Sequence, residues 1–91
     1  MTTEQLKALR AATNEIIAEL KALPTREKPE GAINWARVRC SQAEYSIDDD
    51  GDKRYTVFID DADTSACQLH DRLSSLLKEA GFPSVRVLLE W

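Results

Sequence analysis

Apolar residues recur along the first quarter of the chain at helical spacing. Leu6, Leu9, Ile16, Leu20 and Leu23, with Thr13 in the series, follow at intervals of three and four, and Ala12 and Ile17 widen the stripe. That pattern lays them on one face of an amphipathic helix over about residues 3–23. Thr2 and Gln5 stand at capping-box spacing at its start, and Pro24 ends it. Three heptads is the least a coiled coil needs and Thr13 interrupts the seam, so a helix packed on a sheet is the favoured reading. Residues 24–32 carry two prolines, a glycine and several charges, and read as a solvated linker.

The pattern then changes to alternation. Residues 33–60 hold two β runs either side of Asp48-Asp49-Asp50-Gly51-Asp52, an Asp-Gly turn signal for a β-hairpin. In the first run, Ala36, Val38 and Cys40 share one parity and Ala43, Tyr45 and Ile47 the other. A β-bulge near Ser41-Gln42 restores a single apolar face to one long strand from Ile33 to Ile47. A three-residue loop with Gly51 in the left-handed position pairs Tyr45 with Tyr55 and Ala43 with Val57. A two-residue loop would set Glu44 against Val57 instead, which breaks the pattern.

A second helix over about 64–80 begins after Asp63-Thr64, both N-cap residues, and buries Ala66, Leu69, Leu73, Leu76, Leu77 and Ala80. Gly81 closes it as a left-handed C-cap and Phe82 folds back on the last turn. A final strand over about 84–91 alternates Val85, Val87, Leu89 and Trp91 on one face with Arg86, Leu88 and Glu90 on the other. Trp91 is expected to be at least partly buried against the helices. The element order α-β-β-α-β makes a single α+β domain over residues 1–91, a two-layer α/β sandwich with both helices on one face. The expected sheet order is 2-1-3, with the final strand antiparallel beside the first.

Composition constrains function more than fold. Ninety-one residues with 43% apolar and 31% charged positions form one ordinary globular domain. Stability on the order of 5–14 kcal/mol follows for that size. The net charge is −4, which disfavours non-specific nucleic-acid binding and an anionic membrane surface. Half of the sixteen carboxylates lie between Glu44 and Asp63. The chain shows neither a leader pattern nor a membrane span, and a cytoplasmic setting is expected. Cys40 and Cys67 are too few for a disulfide framework and read as reduced core or near-core thiols.

Candidate chemistry is sparse. Ser46-x-Asp48-x-Asp50-Gly51 imitates the start of a calcium loop, but its twelfth position is Val57 instead of a bidentate Glu. Cys67 and His70 stand one helical turn apart without the further ligands zinc needs, or the orienting group and oxyanion hole a nucleophile needs. Asp60, Asp61 and Asp63 precede a helix N-terminus, where negative charge is favoured without any catalytic role. The three glycines compose no phosphate loop. No catalytic residue, cofactor or metal is assigned.

The surface that remains is the sheet face away from the helices. It is expected to carry Arg37, Arg39, Arg54, Phe58, Arg86 and Leu88, with Trp35 near them and the acidic tip Asp48, Asp49 and Asp50 at one end. Arginine and aromatic side chains are enriched at protein interfaces. The expected function is therefore a non-enzymatic protein-binding module, an adaptor, small subunit or inhibitor of a larger complex, with a homodimer through the same face as a variant. A single-stranded nucleic-acid binder using Phe58 and the strand arginines is the alternative, because bases stack on such faces. A small enzyme or metal site at Cys67 and His70 is the third reading.

Overall fold

Five main elements form where the periodicity changes: α1 (Thr3–Ala22), β1 (Arg39–Ile47), β2 (Lys53–Asp60), α2 (Cys67–Glu79) and β3 (Val85–Leu89). The structure, a computed structural model, describes residues 3–91. The capping pair Thr2–Gln5 thus falls partly outside the described residues. Both helices pack on one face of a three-stranded mixed sheet, giving the expected α+β sandwich.

The stripe of α1 buries Leu9, Thr13, Ile16, Ile17 and Leu20. Thr13 is fully enclosed, yet its hydroxyl donates to the Leu9 carbonyl at 2.7 Å, so no polar group is stranded. Leu69, Leu73 and Leu77 of α2 meet the same core, where Val57, Ile59 and Val87 rise from the sheet. Truncating one of these leucines to alanine costs about 2–5 kcal/mol in a core of this kind, a large share of the whole.

The hairpin follows the turn chemistry. The Asp48 N–H donates to the Asp52 carbonyl and the Gly51 N–H to the Asp48 carbonyl, each at 2.9 Å, with Gly51 at φ 83°. Tyr45 lies opposite Tyr55 and Ala43 opposite Val57, and the register shifts between Cys40 and Gln42, where the bulge was needed. The two tyrosine rings sit 5.2 Å apart. Gly81 at φ 100° ends α2, and the Phe82 N–H returns to the Leu77 carbonyl at 2.9 Å.

The sheet order differs from expectation. It is β1-β2-β3, not 2-1-3, with β3 parallel to β2. Two features explain it. β2 leaves its second edge open to the returning chain, and α2 is a short crossover that sets β3 down beside the strand it left. The outer edge of β1 is meanwhile closed at Cys40 by Asn14 of α1. Its side chain accepts from the Cys40 N–H at 2.8 Å and donates to the Cys40 carbonyl at 3.1 Å.

Four local expectations also change. The first strand does not begin at Ile33. Ile33 makes an isolated bridge to Ala62, and residues 35–37 turn, with the Arg37 and Val38 N–H groups both donating to the Asn34 carbonyl. Residues 24–32 are fastened instead of loose. The Glu30 N–H donates to Gln68 Oε1 at 2.8 Å, Arg72 donates to the Glu27 carbonyl, and Gly31 lies so close to Ala66 that a Cβ would stand 2.6 Å from its Cα. Helix α2 starts later than Asp63-Thr64. Asp63 caps the preceding turn by accepting the Ser65 N–H, and Ala66 takes the N-cap position. Trp91, expected to be partly buried, is 78% exposed, and it lies two residues past the end of β3.

A double-mutant cycle on Tyr45→Ala and Tyr55→Ala should show coupling of about 0.5–1.5 kcal/mol in chemical denaturation, the scale of a facing aromatic pair. In the same assay Gly51→Val should cost about 1–2 kcal/mol, because the position requires a left-handed backbone. Asp49→Ala should change little, since its side chain is exposed.

Candidate functional site: the open face of the sheet

The alternation that buries Tyr55, Val57 and Ile59 turns Arg54, Thr56, Phe58 and Asp60 to the side opposite the helices. Pairing then fixes the rows across this face. Gln42, Phe58 and Leu88 make one row, Glu44, Thr56 and Arg86 the next, and Ser46 stands beside Arg54. Phe58 and Leu88 are direct neighbours on adjacent strands and both are half-buried. Thr56, at the centre, is only 8% exposed, although no layer lies above it among the described residues. Its neighbours in register are Glu44 and Arg86.

Charged groups surround this apolar pair. Arg39 opposes Asp60 across the strands, with their side chains 3.9 Å apart. Asp60 also accepts the Ser41 hydroxyl at 3.0 Å, which holds the bulge residue against the face. Arg54 Nε donates to Asp48 Oδ2 at 2.9 Å. Of the residues assigned to this face from sequence, Arg39, Arg54, Phe58, Arg86 and Leu88 fall on it. Arg37 does not, because it lies in the turn before β1, and Trp35 packs against the edge of the core with Lys28 5.9 Å from its ring centre. Glu90 was placed on this face by alternation, but Glu44 was not singled out from sequence, and the pairing register sets it beside Thr56 here. The signal for Glu44 was its parity with Ser46 across the bulge-corrected strand.

The hairpin tip is built around Asp48. Its carboxylate accepts from Arg54 and from the Asp50 and Asp52 N–H groups. The Arg54 hydrogen bond first, then the bond from Asp52, hold the Asp48 carboxyl below its ordinary value of 3.8. One oxygen each of Asp48, Asp50 and Asp52 lies within 4.8 Å of the others. Arg54 already neutralises the innermost of the three, and Asp49 and Asp50 point their charge to solvent.

The remaining candidates disperse. Cys67 and His70 are both exposed on the first turn of α2, and the His70 ring lies 3.2 Å from Asp71. Cys67 is therefore a surface thiol and not a near-core one, whereas Cys40 is buried, and burial pushes its thiol up from the ordinary range. Asp60, Asp61 and Asp63 serve separate local tasks. Asp61 takes a positive φ of 63° and its carbonyl accepts the Asn34 N–H, while Asp63 caps its turn. An open cleft of about 470 Å³ between residues 26–30 and α2 is lined mostly by charged side chains of both signs, Arg26, Lys28 and Arg72 against Glu27, Glu30 and Asp71. No described helix is long and apolar enough to cross a membrane. No protein-family model, curated protein or solved structure matches the chain.

A carboxyl held below its unfolded value stabilises the fold above that value, and the contribution disappears as pH falls through the folded one. Wild type should therefore exceed Asp48→Ala in denaturation midpoint at neutral pH. The gap should close as pH drops below the ordinary carboxylate range.

Proposed function

We propose that the chain is a non-enzymatic protein-binding module whose contact surface is the open sheet face, with the acidic tip at its margin. The observation that carries this reading is the Phe58–Leu88 pair, apolar and adjacent, ringed by Arg39, Arg54, Glu44, Arg86 and Glu90. An apolar centre within a charged rim is the anatomy of a transient protein interface. Phe58 sits mid-strand on the central strand, where position is fixed before binding and little ordering cost remains. Asp49 and Asp50 would add attraction for a basic patch on the partner.

The charge balance of the face favours this over nucleic acid. Arg39, Arg54 and Arg86 are matched by Glu44, Asp60 and Glu90, and two of the three arginines stand beside a carboxylate. A backbone of phosphates needs a basic track in excess. An enzymatic role lacks an enclosed pocket with convergent groups among the described residues.

Affinity capture from the native host, comparing the tagged wild-type chain with Phe58→Ala and Arg54→Glu, tests the reading. Loss of the same captured proteins in both variants, with circular dichroism unchanged, is expected. The Phe58 truncation should weaken the purified pair by about 2 kcal/mol, roughly 30-fold. Capture equal to wild type in both variants would remove this face from consideration. Salt-sensitive binding of a labelled single-stranded oligonucleotide would favour the nucleic-acid alternative.

A further inference from the structure

The two edges of the sheet are treated differently. β1 is interrupted by a bulge and closed at Cys40 by the Asn14 side chain. β3 has β2 on one side and, among the described residues, no strand on the other. Its sequence, Val85-Arg86-Val87-Leu88-Leu89, contains no proline, lysine or bulge that would discourage pairing. The Glu90 N–H donates to the Ile59 carbonyl, so residues 86, 88 and 90 direct their backbone groups to β2. Val85, Val87 and Leu89 then present theirs outward.

We propose that β3 pairs antiparallel with β3 of a second copy of this chain. Two sheets become one six-stranded sheet with a twofold axis at Leu88. The register follows from two constraints. Outward-facing odd residues must meet odd residues, which leaves shifts in steps of two. Of these, the register centred on Leu88 sets Arg86 against Glu90 of the second copy, twice by symmetry, and Leu88 against Leu88. One step either way sets Leu88 against a charged residue, and two steps bring Arg86 onto Arg86 or Glu90 onto Glu90. Opposite charges directly across a strand pair stabilise and like charges oppose it.

The same register accounts for Trp91. It falls opposite Val85 of the second copy, with the parity of the helix-facing residues. Beside Val85 lies an apolar cleft of about 260 Å³, lined by Leu9, Tyr55, Phe82 and Pro83. An indole that stands exposed in one copy thereby gains a lined recess in the other. This seam joins strand edges through backbone pairing and shares Arg86, Leu88 and Glu90 with the open face, and self-association of the chain alone tests it apart from the reading above.

Sedimentation equilibrium of the purified chain over a concentration series tests it without any partner. A species of twice the 10.3 kDa chain mass is expected. Arg86→Glu or Glu90→Arg alone should weaken self-association about tenfold or more, through two repulsive contacts. The double variant Arg86→Glu/Glu90→Arg should return it to within about threefold of wild type. Trp91→Ala should weaken it while leaving the circular dichroism and denaturation midpoint of the monomer unchanged. In a Cys67→Ser background, Leu88→Cys should oxidise to an interchain disulfide, as the closest cross-strand pair permits. A monomer at every concentration, or a dimer that the single reversals leave intact, would overturn the proposal.

Discussion

The fold depends on β2 being hydrogen-bonded on both sides. β2 donates and accepts along an antiparallel ladder to β1 and a parallel one to β3, and its inward residues Val57 and Ile59 are wholly enclosed. Only a central strand can have both backbone edges satisfied by neighbours while one face is sealed by helices. Every other placement follows. α1 lies against β1, α2 returns the chain to the remaining edge, and the opposite face of β2 stays uncovered with Phe58 at its middle.

This arrangement separates strength from exposure. The helix side concentrates the aliphatic residues and excludes water. The other side is held by the same backbone hydrogen bonds and, among the described residues, has no second layer over it. Thr56 is only 8% exposed there, between Glu44 and Arg86 on the flanking strands. The charged groups are mostly committed locally: Arg54 to Asp48, Arg39 near Asp60, Asp60 to Ser41. Committed charges lose little mobility on contact, which would suit the proposed binding role.

Much of this was legible in the chain because the deciding interactions were local. The Asp-Gly loop, its three-residue length, the bulge near Ser41 and the Tyr45–Tyr55 pairing all follow from turn chemistry and alternation within about twenty residues. So does the placement of Phe58, Arg54, Arg86 and Leu88 on the open face, since parity alone decides it. Sheet order was not local. It turned on which edge of the hairpin was already occupied, and that depended on Asn14, a polar residue beside the helix stripe that gave no sign of reaching Cys40. Composition did not separate the candidates for the central strand either: Tyr55–Ile59 and Val85–Leu89 each interrupt four apolar residues with one polar one. Arg37 and Trp35 were misplaced because apolar parity extended the first strand through residues whose N–H groups bend back to Asn34.

The bond between Asn14 and Cys40 has a consequence for how the molecule fails. The side chain occupies both backbone groups that a foreign strand would need at that point of β1. Helix α1 therefore guards the sheet against edge-on growth only while it stays docked. A transient lifting of the helix uncovers apolar surface and a pairing-competent strand in one event, so local opening and the onset of aggregation are a single step on this side of the sheet.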